Sequence, residues 1–228
     1  MKLPTVIIAT LISIFILSAC STNDSHHSSA SVGDIVELGG FDWRVIGVQD
    51  GNALVISEKI LWRSTWHYEQ TVMSWEASEI RQYLNGPFFD NGFTDEEKAL
   101  IIETQLPNNM NPWFGSAGAG SDTMDRVFLL SLEEVIYYFG DSGMLSGLAG
   151  RPAGDLAIPI MDEYNEGRIA TDAGTGSPYW WWLRTPGRFV HSWVDASATA
   201  VSGGGDVIVY GLYMVMEGGV RPAMWLRL

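Results

Sequence analysis

Residues 41–60 read FDWRVIGVQDGNALVISEKI. β-Branched, aromatic and aliphatic residues crowd both halves, and Asp50-Gly51-Asn52 interrupts them with residues that tolerate the left-handed backbone of a tight turn. The pattern predicts strands over 41–48 and 53–60 folded back on each other, after a shorter strand over 35–38. Neighbouring strands should therefore pair antiparallel, without the helical crossovers that parallel pairing demands.

Toward the C-terminus the pattern alternates between short helices and short strands. Ser74 precedes an apolar-periodic stretch over 75–84 with early acidic residues, and Asn85-Gly86-Pro87 reads as its stop. Thr94-Asp95-Glu96-Glu97 and Ser131-Leu132-Glu133-Glu134 both have capping-box spacing, in which hydroxyl and carboxylate satisfy each other's exposed amides. They predict a second helix from 95 and a third running to about Phe139, the latter after a strand-like 127–130. Strands are expected over 179–185, 193–197, 207–210 and 219–228, with long irregular loops over 108–120 and 140–154. The sum is an α+β domain over 32–228 with antiparallel strands and about three short helices.

Toward the N-terminus, Met1-Lys2 leads into an apolar run over 6–17 and then Leu17-Ser18-Ala19-Cys20. The run is shorter than the roughly 20 residues a membrane-crossing helix needs, and small residues before a cysteine suit a lipoprotein signal peptide over 1–19. Cys20 is the only cysteine in the chain and is read as the lipid attachment site; the rival reading is an ordinary leader with a chance cysteine. Residues 21–31 (STNDSHHSSAS) form a polar, serine-rich tether, in which His26 and His27 read as solvated linker residues. The expected address is extracytoplasmic, held to a membrane by the N-terminal lipid on the cell surface or the periplasmic face.

Thirteen basic residues against 27 acidic give a formal charge of −14, and losing Lys2 with the leader makes it −15. Nucleic acid is excluded as an expected partner, because phosphate backbones call for clustered Lys and Arg and these are scattered. Inside the domain lie two histidines, His67 and His191, and neither sits in a recognisable nucleophile, zinc, Walker or dinucleotide motif. Of the acid pairs Glu96-Glu97, Glu133-Glu134 and Asp162-Glu163, the first two are accounted for by helix capping, which weakens a glycosidase reading. Asp141-Ser142-Gly143 and Asp162-Glu163-Tyr164-Asn165 could contribute oxygen ligands to calcium, yet neither completes a calcium loop, so no metal or cofactor is assigned.

Trp180-Trp181-Trp182 offers flat indoles for stacking on sugars, but in a strand Trp180 and Trp182 would share the core face. That leaves Trp181 on the other face, as a ligand platform or as further packing. Arg81, Arg184 and Arg221 read as structural cross-links to carbonyls or to carboxylates such as Asp42 and Glu79. Phe189, Trp193, Tyr210 and Tyr213 fall among glycines and polar residues, the mixture of rigid anchors and flexible backbone seen in binding loops.

Several short stretches together resemble a family of bacterial surface and secreted proteins catalogued as domain of unknown function 6273. They are Phe41-Asp42-Trp43-Arg44-Val45, Leu54-Val55-Ile56-Ser57, Trp75 with Ser78-Glu79-Ile80-Arg81 and Leu84-Asn85-Gly86, Phe128-Leu129-Leu130-Ser131, Trp181-Trp182-Leu183-Arg184 and Gly219-Val220-Arg221-Pro222-Ala223. The resemblance covers nearly the whole domain. It implies a C-type-lectin-like fold, akin to formylglycine-generating enzymes and some surface receptors, with 179–185 and 219–228 as a framework strand pair and the glycine-rich stretch between them exposed. The oxidases of that group depend on cysteines, which this domain lacks, so their activity is not implied. Some proteins of this general fold are diversified in exposed C-terminal loops by retroelements; Phe189, His191, Trp193, Asp206, Tyr210, Tyr213 and Met214 occupy the corresponding stretch here. The leading expectation is a non-enzymatic, lipid-anchored binding module presenting these residues and Trp181 to a glycan or protein. The rivals are an extracytoplasmic enzyme acting on cell-wall polysaccharide and a non-catalytic structural envelope protein.

Overall fold

The 41–60 hairpin forms. The computed structural model describes residues 30–114, 120–148, 159–188 and 196–228. In it β1 (Ile35–Leu38), β2 (Phe41–Gln49) and β3 (Asn52–Ser57) make an antiparallel meander. Gln49 and Asn52 face each other across the turn, where Asp50 (φ 51°) and Gly51 (φ 75°) both take the positive φ that a two-residue type I′ turn requires.

After β4 (Trp62–Ser64) the helical stretch departs from the expected single helix. Trp75–Ala77 is one turn of 3₁₀ helix, and the cap of α1 (Glu79–Tyr83) is Ser78 in place of Ser74: its Oγ accepts from Arg81 N and donates to Trp75 O at 2.9 Å. Asn85-Gly86-Pro87 is not a stop either. The chain passes through a wide turn at Leu84–Phe88 into α2 (Phe89–Gly92), with Gly86 (φ −117°, ψ −105°) absorbing the kink. Asn85 holds that kink in place, its Oδ1 accepting from Arg126 N and its Nδ2 donating to Val127 O.

Both capping boxes form as read, at the starts of α3 (Asp95–Leu100) and of the later α4 (Leu132–Phe139). Between them come β5 (Ile101–Ile102), β6 (Thr104–Leu106) and β7 (Thr123–Asp125). After α4 follow α5 (Met144–Leu148), within the expected loop, and α6 (Asn165–Arg168). The remaining strands are β8 (Ala170–Thr171), β9 (Pro178–Tyr179), β10 (Trp181–Pro186), β11 (Ser197–Val201), β12 (Val207–Tyr213), β13 (Gly218–Val220) and β14 (Ala223–Arg227).

They assemble into two five-stranded sheets, ordered β1-β2-β3-β14-β5 and β12-β11-β10-β13-β4, beside two short ribbons, β6-β7 and β8-β9. The expected strand over 219–228 is thus two strands in two sheets. Pro222 lacks the N–H a continuous ladder would use, and the chain crosses over at Arg221-Pro222: Leu61 N donates to Val220 O on one side, Ser57 N to Pro222 O on the other. One pairing is parallel, β10 against β13 through Trp181 and Gly219, where antiparallel neighbours were expected. The glycine-rich stretch expected to be exposed contributes β11 and β12 instead, and Ser197–Val201 is buried throughout.

A single apolar core spans both sheets, and five indoles in it, those of Trp43, Trp66, Trp75, Trp181 and Trp182, are fully buried. Each donates its N–H to a protein acceptor, respectively Leu38 O, Leu183 O, Asp125 Oδ2, Arg168 O and Ser64 O at 2.8–3.1 Å, so none of these five buried N–H groups is left unsatisfied. Trp180 is only half-buried, so of the pair expected to share the core face Trp182 alone lies in it, joined there by Trp181. β10 is a central strand covered on both faces, and a two-sided strand does not follow the alternation of a half-buried one.

Candidate binding surface

The residues singled out for ligand contact part company in the structure. Cys20, Phe189, His191 and Trp193 lie outside the described residues. Trp181 is closed off, its N–H held by Arg168 O and its ring covered by the Arg221 guanidinium at 5.1 Å and by Phe139 at 6.4 Å. Met214 points into the core, while its carbonyl accepts from Trp66 N and His67 N. Asp206 fastens a turn, accepting from Asn165 Nδ2 at 2.6 Å and from Ser202 Oγ at 3.0 Å. Tyr210 is half-buried and its carbonyl takes Arg188 N and Ser197 Oγ. Among the described candidates Tyr213 alone, 48 % exposed, turns its ring to solvent.

Around Tyr213 the fold gathers apolar side chains that sequence reasoning passed over. β12 ends in a turn, with Met216 N donating to Tyr213 O, that leaves Val215 and Met216 exposed. The segment after β4 runs alongside, joined to the turn by its two bonds to Met214 O and by Gln70 Nε2 donating to Ala196 O at 2.6 Å. That segment exposes Tyr68 (65 %) and Val72. Val72 and Met214 share a narrow cleft of about 10 Å³ with Pro186, Gly187, Arg188 and Ser197. This is far below the roughly 300 Å³ at which small-molecule pockets begin, so the cleft is a crease in the surface and not a small-molecule pocket. No periodicity marks Tyr68, Val72, Val215 or Met216; only the fold brings them together.

His67 and the three framework arginines are committed to the scaffold. His67 is buried with its Nδ1 against the Glu79 carboxylate, and burial lowers its pKa. Arg184 grips Glu134, Nη2 to Oε1 at 2.9 Å, and also bonds Leu129 O; Arg81 pairs with Asp125 at 2.7 Å. These partners differ from the expected Asp42 and Glu79. Arg221 has no carboxylate partner: its Nε donates to Ser57 O at 3.0 Å between aromatic rings, and burial brings its pKa down to about 10.

The two segments considered for calcium do meet, through Ser142 Oγ donating to Asp162 Oδ2 at 2.7 Å. The cation facing Asp162 is Arg168, whose Nη1 and Nη2 lie 2.9 and 3.2 Å from the carboxylate. Burial alone would raise the Asp162 carboxyl, but hydrogen bonds from Arg168, Ser142 and Tyr164 bring it below the usual range. Among the described residues no group of three or more His, Cys, Asp or Glu side chains converges to hold a metal ion. Of the capping acids, Glu97 also accepts from Gly39 N and Glu134 also holds Arg184.

Fold and surface together define a mixed α+β domain, mostly strands in several sheets with a few short helices. Residues 50–228 match the family described as a domain of unknown function, DUF6273, and the chain belongs to that family. The match begins at the hairpin turn, so β1 and the whole of β2, which complete the first sheet, precede it. No curated protein and no solved structure matches the chain.

Proposed function

We propose that this protein is an extracytoplasmic lipoprotein, anchored through Cys20, whose domain is a non-catalytic binding module for a protein ligand. The observation that carries the ligand class is the exposed set Tyr68, Val72, Tyr213, Val215 and Met216 around a cleft too small for a sugar ring. Clustered apolar exposure of this kind is a common mark of interaction sites, where methionine repacks to fit a partner and tyrosine supplies rigid contact area at small entropic cost. We read the scaffold as C-type-lectin-like; the return of β14 to the first hairpin and the irregular segments on a two-sheet core support that reading.

Two measurements test it. In palmitate labelling of cells producing the chain, Cys20→Ser should abolish the label and release the protein from membranes. A photo-reactive phenylalanine at position 213 or 68 should give one discrete protein adduct on intact cells, and the same group at Tyr137, on α4, should give none. Absence of any adduct at 213 and 68, with transfer instead to a glycan fraction, refutes the protein-ligand reading.

A further inference from the structure

Among the described residues, Trp43, Trp66, Trp75, Trp113, Trp181 and Trp182 donate their indole N–H to a protein acceptor, whereas Trp62, Trp180 and Trp225 do not. Trp62 and Trp180 lie against other aromatic rings, Phe88 at 5.0 Å and Trp182 at 4.7 Å. Trp225 is left with neither kind of partner and is half-buried.

Its place in the first sheet explains why. Trp225 sits directly across from Leu54 on one side and Ile102 on the other, and Gln49 faces Asn52 at the hairpin end. Directly paired and alternate residues share a face, so Trp225, Ile102, Asn52 and Gln49 line the face opposite Val55, Ala53 and Leu226, which is buried in the core. α4 covers the middle of this outer face: Gly47 leaves room for the Tyr138 ring, which would stand 2.7 Å from a Cβ there. Toward the hairpin end the face opens, with Gln49 exposed and Asn52, Ile102, Thr104 and Trp225 half-buried. Gln49, Asp50, Asn52, Ile102, Thr104 and Trp225 line an open groove of about 300 Å³.

The lining suits one chemistry. An indole face covers the C–H face of a pyranose, and a free indole N–H is a donor for a hydroxyl. Amide, hydroxyl and carboxylate groups around it both donate and accept, as sugar hydroxyls require. The volume reaches the lower end of the roughly 300–1,000 Å³ range of ligand pockets, and a net charge of −14 disfavours an anionic polymer. We propose that this groove binds a neutral saccharide, with Trp225 as the stacking platform and Gln49, Asn52 and Thr104 as hydroxyl partners. It is a second site, on a different sheet from the Tyr213 surface and independent of it.

The test is calorimetric titration of the full chain, in a detergent without a sugar headgroup, with cellotetraose and with chitotetraose. At least one should bind saturably at millimolar concentration or below, and Trp225→Ala should weaken it at least tenfold with the circular dichroism spectrum unchanged. If Trp225→Ala does not fold, the surface double variant Gln49→Ala/Asn52→Ala decides, with the same expected loss. Tyr213→Ala should bind as the parent does. Failure of both sugars to saturate, undiminished binding in the deciding variant, or loss in Tyr213→Ala overturns the proposal.

Discussion

Arg168 and Asp162 are the most demanding pair in the molecule, with side chains 0 % and 2 % exposed. Both charges are desolvated, and their mutual contact with Ser142 and Gly140 O is what makes burial tolerable. Asp162→Ala should therefore destabilise the fold by about 3–5 kcal/mol, the cost of stranding a buried charge, as read by urea unfolding. Such a pair was not legible in the sequence. Asp162 stood out there as an oxygen ligand, because nothing in a linear reading shows that Arg168 shares its pocket. The burial of Trp181 stayed open in the sequence for a related reason: alternation tells which residues face each other, and only the sheet order tells that β10 has no solvent face.

Helix starts were the most legible elements. Thr94 with Glu97 and Ser131 with Glu134 are local devices, complete within four residues, and they form as written. The 75–84 stretch holds two serines in plausible cap positions, and buried Ser78 takes the role because its Oγ serves both Arg81 N and Trp75 O. Ser78→Ala should cost about 1–2 kcal/mol, whereas Ser74→Ala should stay within about 0.5 kcal/mol; equal losses in thermal unfolding would contradict the assignment of the cap. Strand ends were less legible, since 219–228 reads as one apolar run and its division at Pro222 depends on two sheets competing for it. The Tyr213 surface was legible at one residue only. Tyr68 and Val72 reach it through bonds to Met214 O and Ala196 O that no local pattern announces.

For the molecule as a whole, protonation works against the native state at acid pH. His67 has its pKa lowered by burial from an ordinary 6.5, so below that value the unfolded chain takes up a proton that the folded one resists, and stability falls. Glu97, held chiefly by Gly39 N, and Asp162 and Asp172, where hydrogen bonds outweigh burial, have lowered pKa values too. Their contribution is present above the ordinary 3.8–4.5 and is lost as the pH falls through the folded values. Melting temperature should thus decline in two stages, below about pH 6.5 and again below about pH 4, and His67→Gln should remove the first stage only. The crossing at Arg221-Pro222 bears on time as well as on strength. β14 fills the gap between β3 and β5, pairing Arg227 with Asn52 at the far end of the domain's sequence. Closure of so long a loop must precede the completed first sheet, which places refolding among slow, high-contact-order domains, in milliseconds to seconds. In stopped-flow experiments, weakening β14 at Met224 should show whether that closure belongs to the rate-limiting step: a slower refolding limb if it does, a faster unfolding limb if the strand docks afterwards.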